Sequence, residues 1–195
     1  MQELVFATSN ENKIREVQSK LLAENFDLKI LPVTQPFEPI EDGETFLENS
    51  YIKAFEAAKK MNRIAFADDT GLCVEALDGR PGIYSARYAQ KGESKVEKLL
   101  DELKNIKDLE NRKAYFACAI TLVNPVGETL FSYQSKFDGY IGFEPKGEQG
   151  FGYDPIFYLK ELDKTLAELS IDEKNSISHR AIALKTFIEW LKDNF

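Results

Sequence analysis

Apolar positions along this chain alternate between two periods. Leu4, Val5 and Phe6 form a short run of the kind a buried strand uses, within a predicted strand over Glu3 to Thr8. From Asn12 to Leu22 the apolar residues fall at Ile14, Val17 and Leu21, the spacing of one helix face. Asp27 to Val33 predicts a second strand, and Pro36, Pro39 and Gly43 mark Thr34 to Gly43 as a loop. A helix is predicted next. Thr45 is a cap with Glu48 three residues on, and Leu47, Tyr51, Ala54, Phe55 and Ala58 supply a broad apolar stripe. Ile64 to Ala67 reads as the end of a buried strand, and Asp78 to Gly82 as a turn-rich loop. Val96, Leu99, Leu100 and Leu103 predict an amphipathic helix over Ser94 to Leu103. Tyr115 to Val123 and Thr129 to Phe137 are strands joined through Asn124 to Glu128 as a hairpin. Leu184, Phe187, Ile188 and Leu191 give the last helix its buried face. This order mixes βα units with an antiparallel hairpin, which predicts an α/β fold with a mixed sheet. No repeat, linker or low-complexity segment interrupts it, so residues 1–195 are expected to form one domain.

Composition narrows the function classes. A hydrophobic content of 43% with 30% charged residues is ordinary for a soluble globular protein, and no apolar stretch approaches the roughly 20 residues of a membrane span. The N-terminal run shows no basic region and no cleavage signature, so a cytoplasmic location is expected. Cys73 and Cys118 each lie inside an apolar run, as buried small hydrophobes do in a reducing compartment. A net charge of −8 argues against an extended nucleic-acid footprint. It still allows a small anionic ligand held by a few local donors and a metal ion.

The candidate chemistry begins at Asp68 and Asp69, two adjacent carboxylates directly after an apolar run. Such a pair is either a solvated turn or a cation site at the edge where open α/β sheets collect ligands. Thr8, Ser9, Asn10, Glu11, Asn12 and Lys13 follow the first strand and open a helix. They read either as an ordinary capped helix start or as a phosphate cradle, with free N–H groups, a positive dipole end and the Lys13 charge. Glu41, in its Pro- and Gly-flanked loop, is either part of an acidic solvated segment or, with Asp69, an oxygen ligand set suited to Mg²⁺. Phe151, Gly152, Tyr153 and Asp154 offer an aromatic face beside a flexible glycine, suited to base stacking or to core packing. His179 is the chain's single histidine, which excludes a multi-histidine metal site.

Together these segments resemble the inosine triphosphate pyrophosphatase family, in order from Thr8 to Arg180. The stretch FADDTGLCVEALDGRPGIYSARYA from Phe66 to Ala89 is the longest shared motif, with Phe151 to Asp154 and Ser178 to Arg180 following. Ser9 stands where the family commonly has Gly, and Thr70 where it usually has Ser. The resemblance implies an elongated mixed sheet with flanking helices forming two lobes around a cleft, in a homodimer. It implies Mg²⁺-dependent cleavage of ITP, dITP and XTP to the monophosphate and pyrophosphate, removing deaminated purines from the nucleotide pool. It implies Asp69 as proton acceptor and metal ligand with Glu41, and Asp68 as support for the metal or its water. Residues 8 to 13, Thr70, Phe151 to Asp154, Lys174, His179 and Arg180 would contact substrate. His179 and Arg180 would donate to the 6-oxo group of a purine, and an adenine amino group would meet donors instead of an acceptor. Arg87 is a phosphate partner or a surface ion pair. A pyrophosphatase of the septum-formation-inhibitor type, a non-catalytic nucleotide binder and a nucleic-acid module are the rival readings. Ser178 to Arg180, the intact acidic pair with Lys13, and the charge oppose them respectively.

Overall fold

The computed structural model describes residues 2–34 and 36–195; Met1 and Gln35, which belong to the N-terminal run and the Pro-marked loop, lie outside it. The elements run β1 (Gln2–Phe6), α1 (Glu11–Ala23), β2 (Leu28–Pro32), α2 (Phe46–Met61) and β3 (Ala65–Val74), then α3 (Lys95–Glu102), β4 (Lys113–Val123) and β5 (Thr129–Ile141), and finally β6 (Phe157–Leu159), β7 (Lys164–Thr165), α4 (Ile171–Ile177) and α5 (His179–Asn194). Among the described residues the strands form one seven-stranded sheet in the order β2, β1, β3, β4, β5, β6, β7. β1 pairs in parallel with β2 and β3, whereas β6 pairs antiparallel with β5 and β7. The sheet is therefore mixed, as the element order predicts.

Local signals set the ends of the elements. Asn10 caps α1 with its side chain, and Thr45 and Glu48 close a reciprocal capping box on α2. The Asn124 to Glu128 turn is closed by Asn124 N–H to Glu128 C=O at 3.0 Å. Two expectations shift. β3 does not end before the acidic pair but runs through it to Val74, because Leu72, Cys73 and Val74 are as buried as Ala65 to Ala67 and extend the same strand. β6, β7 and α4 carry too few residues for a periodicity to show, so the pattern of apolar positions does not reveal them.

The chain divides into two compact units. The first comprises Met1–Asp69, Cys118–Ser135 and His179–Phe195. On one face of its strands Leu4, Phe6 and Phe66 pack with Val17 and Leu21 of α1 and Leu184, Phe187 and Ile188 of α5. On the other face Val5, Ala7, Ala65 and Ala67 meet Ala54, Ala57 and Ala58 of α2. The small alanines let α2 lie close to the strands, while aromatic rings fill the opposite side. The second unit comprises Thr70–Ala117 and Lys136–Ser178. Its core includes Leu72, Val74, Leu99, Leu103, Phe116, Ile141, Tyr153 and Phe157. No helix among the described residues is long and apolar enough to cross a membrane.

Candidate active site

Successive side chains on a strand point to opposite faces, so β3 sends its two aspartates apart. Phe66 stacks on Phe6 with ring centroids 4.4 Å apart and touches Phe187, which places it on the α1 and α5 side. Asp68, two residues on, faces the same way. Its Oδ1 accepts from Lys13 Nζ at 2.9 Å, and its Oδ2 from Arg180 Nε and Nη2 at 3.2 and 3.1 Å. Arg180 Nη1 donates in turn to Glu16. Asp68 and Arg180 are 4% and 3% exposed, so this is a buried network of ion pairs. Burial pushes the Asp68 carboxyl up, but the charges of Lys13, Arg180 and Lys53 outweigh it and hold the group well below the usual carboxylate range.

Asp69 faces α2. Its Oδ1 accepts from Lys53 Nζ at 2.6 Å, and the same ammonium lies 3.4 Å from Glu41 Oε2. Burial raises the Asp69 carboxyl and the nearby Glu41 charge adds to it, so that despite Lys53 the group sits above its ordinary value. Lys53 loses solvation, yet Asp69, Asp68 and Glu41 together hold its proton more firmly than water would. Adjacent in sequence, one carboxylate holds its proton less readily than an ordinary aspartate and the other more readily.

Asp69 Oδ2 is buried and has no hydrogen-bond partner among the described residues. Buried carboxylate oxygens are rarely left so, and a bound ion or water is among the ways such an atom is satisfied. Glu41 supplies a second oxygen donor in the same cluster, reached through Lys53. No group of three or more His, Cys, Asp and Glu side chains able to hold a metal is found among the described residues. Two carboxylates with phosphate oxygens and water completing the shell is how Mg²⁺ is commonly bound, so the donor set fits that ion.

At the start of α1 Thr8 Oγ1 accepts from Asn10 N–H at 3.1 Å, and Asn10 Oδ1 accepts from the N–H groups of Asn12 and Lys13 at 3.0 and 3.4 Å. Two of the N–H groups expected to face a phosphate are thus capped by Asn10. Ser9, Asn10, Glu11 and Asn12 are exposed, and the Lys13 ammonium is turned onto Asp68. His179 opens α5, is buried, and its carbonyl accepts from Ser135 Oγ.

In the second unit Thr70 is half-buried on β3. Asp154 Oδ2 accepts from Phe151 N–H and from Lys174 Nζ, both at 2.8 Å, and the Lys174 ammonium lies 4.6 Å from the Phe151 ring centre. Gly150 makes this turn possible: at φ +76° a Cβ would stand 2.2 Å from Asp154 Oδ2. Half-buried Phe151 and Gly152 keep an outer face, but Tyr153 is core, its hydroxyl donating to Ser85 C=O at 3.1 Å.

Lys53, Glu16 and Asn49 are absent from the sequence-based site. A signal for Lys53 does exist, since Phe46, Ser50, Lys53 and Ala57 fall on one helical face and a lysine there demands a carboxylate.

The family model described as the Ham1 family matches residues 4–190. A protein of Bacillus subtilis (strain 168) named dITP/XTP pyrophosphatase is 46% identical over 196 residues, covering 98% of each chain. One of the same name from Halalkalibacterium halodurans is 47% identical over 195 residues, covering 98% of this chain and all of that one. Among solved structures, a HAM1 protein from Coxiella burnetii superposes with a TM-score of 0.89 at 39% identity, covering 99% of this chain and 100% of its own. The Staphylococcus aureus Ham1 protein gives 0.87 at 39% identity over the full length of both.

Proposed function

The chain belongs to the Ham1 family, and we propose that it hydrolyses the non-standard purine nucleoside triphosphates ITP, dITP and XTP to the monophosphate and pyrophosphate, with residues 1–195 acting as a single domain. The observation that carries this reading is the division of labour on β3. Asp68 is locked as an anion, while Asp69 combines a raised proton affinity with a buried, unpartnered oxygen beside Lys53 and Glu41.

Asp69 takes the proton of the attacking water, a task suited to a carboxylate above its ordinary pKa. The bond between the α and β phosphates breaks as the new P–O bond forms, with no covalent link to the protein. Glu41 and Asp69 hold the divalent cation, Mg²⁺ in this reading, which when bound supplies a Lewis acid for phosphate oxygens. Lys53 and Lys13 place two further positive charges beside these carboxylates, where negative charge develops on the triphosphate. Half-buried Thr8 and exposed Ser9 to Asn12 form the polar edge that meets the phosphates, and Thr70 adds a hydroxyl. Phe151 stacks the base with Gly152 beside it, Tyr153 behind them fixing the turn and Asp154 fixing Lys174 as a donor. His179 and Arg180 donate to the 6-oxo group; a guanidinium has five N–H groups, so holding Asp68 and Glu16 is compatible with that. Cys73 and Cys118, both buried and neither in a disulfide, accord with action in the cytoplasm, and a homodimer is the assembly proposed.

The deciding experiment measures pyrophosphate release from ITP, XTP, dITP, ATP and GTP with Mg²⁺, for the native chain and Asp69→Asn. The expected result is release from the first three, lost in the variant. Equal rates on all five would remove the base-recognition roles, and no release from any would point to a nucleotide-binding protein without turnover.

A further inference from the structure

Asn49 lies on α2 one turn before Lys53, on the same helix face, and is fully buried. Its Oδ1 accepts the N–H of Gly43 at 3.0 Å, two residues beyond Glu41. The other half of its amide, Nδ2, is buried with no hydrogen-bond partner among the described residues. Burying an amide half-satisfied is costly, and the same face carries an apolar residue at Ala57. The helix's own ends are already served: the Thr45 and Glu48 capping box, with Glu48 also accepting from Glu44 N–H at 2.7 Å, satisfies the first turn. What Asn49 adds is a hold on Gly43 alone. The fit is tight there, for a Cβ on Gly43 would stand 2.7 Å from Glu48 Cβ and 2.9 Å from Asn49 Oδ1. The loop therefore meets the helix at the Gly43 backbone, two residues after Glu41.

We infer that Asn49 is a positioning residue: its side-chain amide pins Gly43 to α2 and so fixes Glu41 beside Lys53 and Asp69, where a divalent cation is held. This rests on the reading of Glu41 as a metal ligand. Asn49 acts through Glu41, as the outer partners of metal-binding carboxylates do, and touches neither cation nor substrate.

The test titrates Mn²⁺ against the full-length chain by electron paramagnetic resonance, without nucleotide, for the native protein, Asn49→Ala, Glu41→Gln, the double variant and Asn49→Asp, with thermal melts alongside. Asn49→Ala is expected to weaken Mn²⁺ binding about tenfold or more, the size of effect outer-shell partners have. The double variant is expected to bind no more weakly than Glu41→Gln alone, because the two changes act on one contact. Asn49→Asp keeps an oxygen for the Gly43 N–H and is expected to bind Mn²⁺ at least as tightly as the native chain. Native Mn²⁺ affinity in Asn49→Ala, whatever its melting temperature, would overturn the inference, and so would weakened binding in Asn49→Asp, a test that stands even where the alanine variant does not fold. Native affinity in Glu41→Gln would instead sink the metal reading itself, which separates the two failures.

Discussion

Asp68 and Asp69 share a peptide bond yet face opposite sides of β3, the first toward Lys13 and Arg180, the second toward Lys53. One ends in a closed ion network and the other in an oxygen without a partner. Replacing each by asparagine should therefore separate stability from catalysis. Asp68→Asn leaves Arg180 and Lys13 facing a neutral amide in a buried site, and should cost about 3–5 kcal/mol in urea unfolding. Asp69→Asn should keep most of the stability, since Glu41 still faces Lys53, and lower pyrophosphate release by about 10²- to 10⁴-fold.

Arg180 divides its nitrogens between Asp68 and Glu16, a geometry that a lysine cannot reproduce from one ammonium. Arg180→Lys should keep the charge but lose part of this fork, lowering stability by about 1.5–3 kcal/mol, the worth of a charged hydrogen bond. A melting temperature equal to that of the native chain would show that charge alone suffices there.

Gly150 combines a left-handed backbone with the close approach of Asp154 Oδ2. Gly150→Ala should cost about 1–3 kcal/mol from backbone strain and also displace the Asp154 carboxylate from Lys174 and Phe151 N–H. The check is a rise in KM for ITP together with a lower melting temperature.

Alkaline stability should be set by tyrosines of the second unit. Burial and the bond to Glu102 push Tyr88 up to about 12, and its bond to Cys73 followed by burial does the same for Tyr115. Burial likewise raises Tyr153. A raised folded-state pKa means that the folded chain binds more protons than the unfolded chain, whose tyrosines titrate near 10. Stability from these groups is full below about pH 10 and falls as pH rises toward 12. Urea midpoints measured from pH 8 to 12 should show this decline, with a shallower slope in Tyr88→Phe.

Chelation by EDTA should abolish pyrophosphate release, and added Mg²⁺ restore it, with little change in the melting temperature in the absence of nucleotide. The cores of both units are apolar side chains packed on one another, so the fold is not expected to depend on the ion.

The sequence alone determined the elements whose signals are local. The Thr45 and Glu48 box, the Asn10 cap and the stripe of Leu184, Phe187, Ile188 and Leu191 are all read within a few turns of chain, and each marks the helix found. The mixed sheet and the family followed from the order of such signals and from the motifs between Thr8 and Arg180. Tertiary structure decided what the acidic pair means. Arg180 reaches Asp68 across 112 positions and Lys53 reaches Asp69 across 16, and neither distance has a periodicity. The course of β3 through the pair, with α1 and α5 on one side and α2 on the other, turns like neighbours into unlike carboxylates. Tyr153 shows the same limit, since an aromatic beside a glycine reads alike whether its ring meets a ligand or, as here, the core. Local propensity acts through bonds a few residues apart, whereas pKa and burial depend on every charge and wall within several ångströms, which only the packed chain brings together.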